Sequence, residues 1–245
     1  MSTSSSDTGT KAAAPTAPAR ALVWDLPVRL MHWILVLAVA GAWITQQLEG
    51  DWFNYHVWCG YTVLIVVVTR LIWGFVGTRH ARFGSFLRGP AAVFGYARGL
   101  VGRGGGHHAG HNPLGALMVV VLLLLLLAMA VTGLFANDEI MSSGPLYGYV
   151  LGSTSNRLTS IHRQIFDFLL IAIALHVIAA FFYLLVRRDN LILPMITGRK
   201  PADAVPPEER IASSRTWLWA LIVAACAIGL YQLVRTAPKA SLFSF

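Results

Sequence analysis

The stretch LGALMVVVLLLLLLAMAVTGL, residues 114–134, decides the fold class. It carries no charged side chain and matches the roughly 20 mainly apolar residues that a helix needs to cross a bilayer. A surface helix of a soluble domain keeps a polar face, and this segment has none. Four further apolar segments lie around it, at 30–44, 53–76, 165–186 and 217–234. The first is short and is expected to start nearer Pro27, a residue suited to a first helical turn. The last is polarised at its end by Tyr231 and Gln232. With 56% hydrophobic and 12% charged residues in 245, the chain has too few polar side chains to cover a soluble domain. The expected class is therefore all-α: an integral membrane four-helix bundle with a fifth, C-terminal transmembrane helix.

Loop charge orients the bundle. Residues 78–112 hold Arg79, Arg82, Arg88, Arg98 and Arg103 without an acidic residue. The segment after the fourth span holds Arg187, Arg188, Arg199, Lys200, Arg210 and Arg215. The opposite loops carry Glu49 and Asp51, or Arg157 as the one cation in 136–160. The positive-inside rule then predicts a cytoplasmic N-terminus, in a bacterial inner membrane. The net charge of +8 is mostly this loop charge, which touches anionic headgroups and implies no nucleic-acid partner.

Residues 1–20, rich in Ser, Thr, Ala and Pro, read as a disordered cytoplasmic tail with no cleaved signal peptide. Residues 21–200 form the bundle, and 201–245 supply a linker, the extra helix and a short tail. Between spans two and three, Pro90 to Leu100 reads as a short helix on the membrane surface. Cys59 and Cys226 each lie in an apolar span and pack as small hydrophobes.

Four histidines carry the chemistry. Ionisable groups inside a membrane are expensive and by default mark function. His32 lies near the inner end of span one, His56 opens span two at the outer side, and span four carries His162 and His176. The fourteen residues between the last two give about 21 Å of rise and about 40° short of four turns, so both rings share one helix face. Matching depth across the membrane pairs His32 with His176 and His56 with His162. Each pair suits one six-coordinate haem iron, and no Cys-x-x-Cys-His occurs, so the expectation is two non-covalent b haems. Two bis-histidine sites at two depths favour electron transfer over ligand chemistry, because substrate finds no vacant coordination position. The competing account has each ring bonded to a helix carbonyl for packing alone, or relaying protons in a haem-free carrier.

Other polar residues are open to two readings. Arg70, inside span two, either receives a haem propionate or snorkels to the inner headgroups. Arg163 meets a propionate or the outer headgroups, and Asp167, one turn on, offers it an ion pair. His80, among arginines, is expected to be solvated. His107, His108 and His111 invite a zinc reading, but no carboxylate or thiolate accompanies them. His111 is also the reserve inner ligand. Trp24, Trp33, Trp43, Trp52, Trp58, Trp73 and Trp217 lie mostly near span ends, as an interfacial belt would.

Taken together, Trp24-Asp25-Leu26-Pro27-Val28-Arg29-Leu30-Met31-His32-Trp33, then His56 with Gly60, resemble the prokaryotic cytochrome b561 and hydrogenase b-type cytochrome superfamily. So do Arg70-Leu71-Ile72-Trp73-Gly74-Phe75-Val76-Gly77, His111-Asn112-Pro113-Leu114-Gly115, and His162-Arg163 followed by His176. The likeness covers roughly residues 22–200; the fifth span lies outside it. It implies a four-helix membrane protein with two b haems, whose ligand positions match the same four histidines. It also implies electron passage between quinone (ubiquinone or menaquinone) and a redox partner, either a periplasmic c-type cytochrome or a redox enzyme subunit. The long Arg/Gly/His loop does not by itself identify the branch, but its lead into Asn112-Pro113-Leu114-Gly115 resembles the partners of small periplasmic c-type cytochromes and inclines the reading slightly that way. The alternatives are a haem-containing anchor subunit of a hydrogenase or dehydrogenase, or a quinone-linked superoxide oxidase. Oligomeric state stays open.

Overall fold

In a computed structural model, residues 20–48, 52–101, 110–140 and 142–238 are described. The tail 1–19, the acidic pair Glu49 and Asp51, His107 and His108 with their glycine-rich surroundings, and the tail 239–245 lie outside them. Among the described residues, five helices are long and apolar enough to cross a membrane. They are α1 (Leu26–Gln46), α2 (Trp52–Val76), α5 (Pro113–Leu134), α6 (Gly152–Leu185) and α8 (Thr216–Arg235). Three shorter ones accompany them: α3 (Phe83–Phe86), α4 (Pro90–Val101) and α7 (Ile192–Thr197). The chain is thus an all-α integral membrane helical bundle.

Local chemistry sets where the long helices begin. Asp25 caps α1, its Oδ1 accepting from the Val28 N–H at 2.6 Å, and Pro27 follows in the first turn. Asn112 caps α5 in the same way, accepting from the Gly115 N–H at 2.8 Å ahead of Pro113. The fourth span runs longer than its apolar pattern: α6 begins at Gly152, taking up part of what the sequence suggests is an external loop. Its 34 residues rise about 51 Å, well beyond a hydrocarbon core of about 30 Å, so its early turns project past the apolar layer.

α1 packs along α2, α2 against α5, and α5 along α6, while α8 lies against α2. Among the described residues the backbones of α1 and α6 scarcely approach one another. One buried cluster, including Ala38, Val67, Leu126 and Leu169, fills the middle of the bundle. A second, including Trp24, Met31, Trp73 and Val205, closes the end where α1 starts.

That end carries a small antiparallel ribbon absent from the sequence reading. Strand β1 (Arg20–Leu22) pairs with β2 (Arg199–Pro201), Ala21 opposite Lys200. Gly198, at φ +81°, makes the turn into β2; a Cβ there would lie 2.8 Å from the Trp24 carbonyl oxygen. Its own carbonyl accepts the Val23 and Trp24 N–H groups at 2.9 and 3.1 Å. The stretch expected to be a linker is tied on as well. Ile211 N–H donates to Leu22 O at 3.1 Å, and Leu26 N–H donates to Ser214 Oγ at 3.2 Å. We refer to this as the strand end, and to the opposite end, with residues 142–151, as the loop end.

Candidate functional site: two histidine pairs

Both expected pairs meet. At the strand end the His32 and His176 rings stand 6.2 Å apart between centroids, with 55° between their planes. At the loop end His56 and His162 stand 6.3 Å apart, at 76°. One ring of each pair comes from α6 and the other from α1 or α2, across the gap that direct packing leaves open.

The loop-end rings are held from behind. His56 Nδ1 donates to the Ala42 carbonyl of α1 at 2.9 Å, and His162 Nδ1 to the Met129 carbonyl of α5 at 2.9 Å. A carbonyl only accepts, so each Nδ1 carries the proton and each Nε2 keeps a free lone pair. The Thr132 hydroxyl oxygen also lies 3.2 Å from His162 Nδ1. Gly133 faces the same imidazole, where a Cβ would come within 2.9 Å of Cε1. A cavity of about 470 Å³ opens beside the pair, lined by Gly60, Arg163 and Asp167 among others. At Gly60, one turn after His56, a Cβ would project into open space. Arg163 and Asp167 form no ion pair, which corrects the pairing expected from their spacing; both side chains line the cavity instead.

The strand-end pair has a different surround. His32 packs edge-on against Trp33 at 5.0 Å, and its buried Nδ1 has no hydrogen-bond partner. Arg70 does not snorkel. It is 6% exposed, its guanidinium carbon sits 5.5 Å above the centre of the Phe83 ring, and its Nη1 is buried without a partner. Asp25, 1% exposed, joins the Trp24–Trp33 motif to the Arg70–Gly77 motif. Its Oδ2 accepts from Trp73 Nε1 at 3.1 Å and from the Thr78 hydroxyl. Trp24 and Trp73 are therefore core residues and not part of an interfacial belt, whereas Trp33, Trp43, Trp52, Trp58 and Trp217 are exposed as a belt requires.

His80 is buried, contrary to its expected solvation, because the stretch after β2 folds over it: its Nε2 donates to Glu209 O at 2.8 Å. Burial lowers its pKa from the ordinary value. His111 precedes the cap of α5 and packs between Trp24 and Phe86, at 4.7 and 4.6 Å between ring centroids. Burial, reinforced by the Arg70 charge, lowers its pKa to about 3. Sequence reading missed Asp25 as a buried hub, though an Asp two residues before a helix-starting Pro is a legible cap signal. It had no means of finding the Ala42 and Met129 carbonyls, since every residue has one.

Comparison with known proteins decides the lineage, since residues 23–198 match the prokaryotic cytochrome b561 family. The chain belongs to that family. Both histidine pairs, Arg70 and the Asp25 hub lie inside the matched region, and α8 lies beyond it. Cytochromes of this family are b-type haem proteins of electron transport, and this one is a multi-pass membrane member. Among similar proteins is the probable Ni/Fe-hydrogenase B-type cytochrome subunit of Azotobacter chroococcum mcd 1. It is 29% identical over 209 residues, covering 72% of this chain and 86% of that protein. The protein so described from Rhizobium leguminosarum bv. viciae is 27% identical over 210 residues, covering 73% and 87%. No solved structure gives a significant match.

Proposed function

We propose that this b561-family chain is the haem-carrying membrane subunit of a hydrogenase-like or dehydrogenase-like enzyme, moving single electrons between that enzyme and membrane quinone. The observation that carries it is the spacing of the two pairs, 6.2 and 6.3 Å between ring centroids. Two imidazoles on different helices at that spacing would be placed to hold one iron between them. His32 with His176, and His56 with His162, would each hold one b haem. The haem supplies the one-electron couple.

The residues do the rest of the work. The Ala42 and Met129 carbonyls fix the tautomer and orientation of the loop-end rings. Gly60 leaves room beside them. Arg70, buried with an unpartnered Nη1, suits a propionate carboxylate at the strand end, and Arg163 suits one at the loop end. Ubiquinone or menaquinone is the exchangeable substrate. Basic segments cluster at the strand end, which supports a cytoplasmic N-terminus in the bacterial inner membrane and a redox partner at the loop end. The names of the relatives favour an enzyme subunit over the periplasmic c-type cytochrome to which the sequence first inclines.

The test is the haem content and reduced-minus-oxidised spectrum of the purified chain in detergent, alongside His56→Ala and His176→Ala. The expected result is two non-covalent low-spin b haems, with one lost or perturbed in each variant. A colourless wild-type protein from haem-replete cells would return the histidines to packing or proton relay. Co-purification with a large redox enzyme, in preference to a c-type cytochrome, supports the partner.

A further inference from the structure

The two histidine pairs differ in what stands behind the rings. At the loop end both Nδ1 atoms donate to helix carbonyls at 2.9 Å. Each accepting carbonyl belongs to a residue three positions before a threonine whose hydroxyl bonds back into the same turn. Thr45 donates to Gly41 O at 2.7 Å and approaches Ala42 O at 3.2 Å. Thr132 donates to Ala128 O at 2.7 Å and approaches Met129 O at 3.1 Å. Such back-bonding tilts helix carbonyls and bends the helix. The same local device thus presents a carbonyl to each loop-end ring, once on α1 and once on α5. At the strand end it does not recur: His32 Nδ1 is buried without a partner, and His176 has no hydrogen bond among the described residues.

An imidazole whose far N–H donates to a carbonyl is a more basic ligand, and a more basic ligand favours ferric over ferrous iron. We propose that the Ala42 and Met129 carbonyls, set by Thr45 and Thr132, give the loop-end site the lower reduction potential and leave the strand-end site as the electron's resting place. The inference rests on the ligand pairs proposed above. With a haem held at each pair, the Ala42 and Met129 carbonyls behind His56 and His162 would favour one electron passing from the loop-end site, which would be oxidised, to the strand-end site, which would be reduced, with no proton or bond exchanged. In the membrane orientation proposed here, this drives electrons from the enzyme side towards the cytoplasmic side. Thr45 and Thr132 are positioning residues; neither supplies a ligand.

The experiment is a potentiometric titration of the full chain in detergent, monitored by the visible b-haem bands and by EPR of the ferric forms. Wild type is expected to show two waves. His32→Ala, which keeps the loop-end pair, should retain the lower wave, and His56→Ala the higher. Thr132→Val removes one acceptor from His162 Nδ1, so the lower wave should move upward while the higher stays, with haem content unchanged. Thr132→Ser should restore it. Waves retained in the reverse order, or a higher wave that moves in Thr132→Val, would overturn the inference while leaving the haem sites intact. If the ligand variants do not accumulate, the threonine variants alone settle the order. A chain without haem overturns the proposed function, and this inference with it.

Discussion

Trp73 donates its indole N–H to the Asp25 carboxylate at 3.1 Å across 48 residues of chain, fixing the end of α2 against the start of α1. The same carboxylate accepts from Val28 N–H and the Thr78 hydroxyl, so one buried side chain caps a helix and joins two motifs. Asp25→Ala leaves three buried donors without an acceptor. The expected cost is about 2–4 kcal/mol, from a lost cap and charge-assisted hydrogen bonds. Thermal unfolding in detergent should show a clear drop, with Asp25→Asn recovering part of it. An unchanged midpoint for Asp25→Ala would remove the hub from the account of the strand end.

Gly60 and Gly133 both border the loop-end pair but predict different failures. A methyl at Gly133 would lie 2.9 Å from the His162 ring, so Gly133→Ala should displace that ring and perturb the loop-end haem spectrum. A methyl at Gly60 meets no protein atom within 4 Å. Gly60→Ala should therefore leave stability within about 0.5 kcal/mol of wild type. Haem content should nevertheless fall from about two per chain towards one. Full haem content in Gly60→Ala would mean that the cavity beside His56 is not where the macrocycle lies.

Arg70→Gln tests the strand end. A buried guanidinium bound to a carboxylate contributes about 1.5–3 kcal/mol, or roughly ten- to hundredfold in haem retention. Haem extraction from the variant should release the strand-end haem first and leave the loop-end spectrum as it is. Equal retention of both would assign the guanidinium to packing against Phe83 alone.

His111 and His80 make the strand end acid-sensitive. Both are held neutral by burial, with folded pKa values below the ordinary 6.5, that of His111 at about 3. Between pH 6.5 and 3 the unfolded chain binds more protons, so stability is full above pH 6.5 and declines as the pH falls through that window. His111→Phe keeps an aromatic ring between Trp24 and Phe86 and removes the titration. Its unfolding midpoint should depend less on pH across that range than that of wild type, as followed by circular dichroism. Parallel pH profiles would show that His111 does not titrate on unfolding.

Five spans and the meeting of the four histidines were legible because apolar length, loop charge and helical rise are properties of the sequence itself. Illegible features have a common cause: they depend on a partner distant in the chain. Arg70 reads equally as a propionate partner or a snorkelling side chain until Phe83 packs against it, and His80 as solvated until Glu209 returns to cover it. The β1–β2 ribbon is three residues a side and carries no strand pattern of its own. The length of α6 escaped because its first turns are polar and project past the apolar layer that hydropathy detects.

Both pairs draw one ring from α6, the fourth of the five membrane-crossing helices in chain order. During synthesis α1, α2 and α5 emerge first, each site then being half built, with His32 and His56 facing no counterpart. The ribbon that fastens the start of α1 to the chain beyond α6 cannot close until residue 201 has emerged. Neither pair is complete until α6 has been made, so the chain order alone ties both sites to the same late helix.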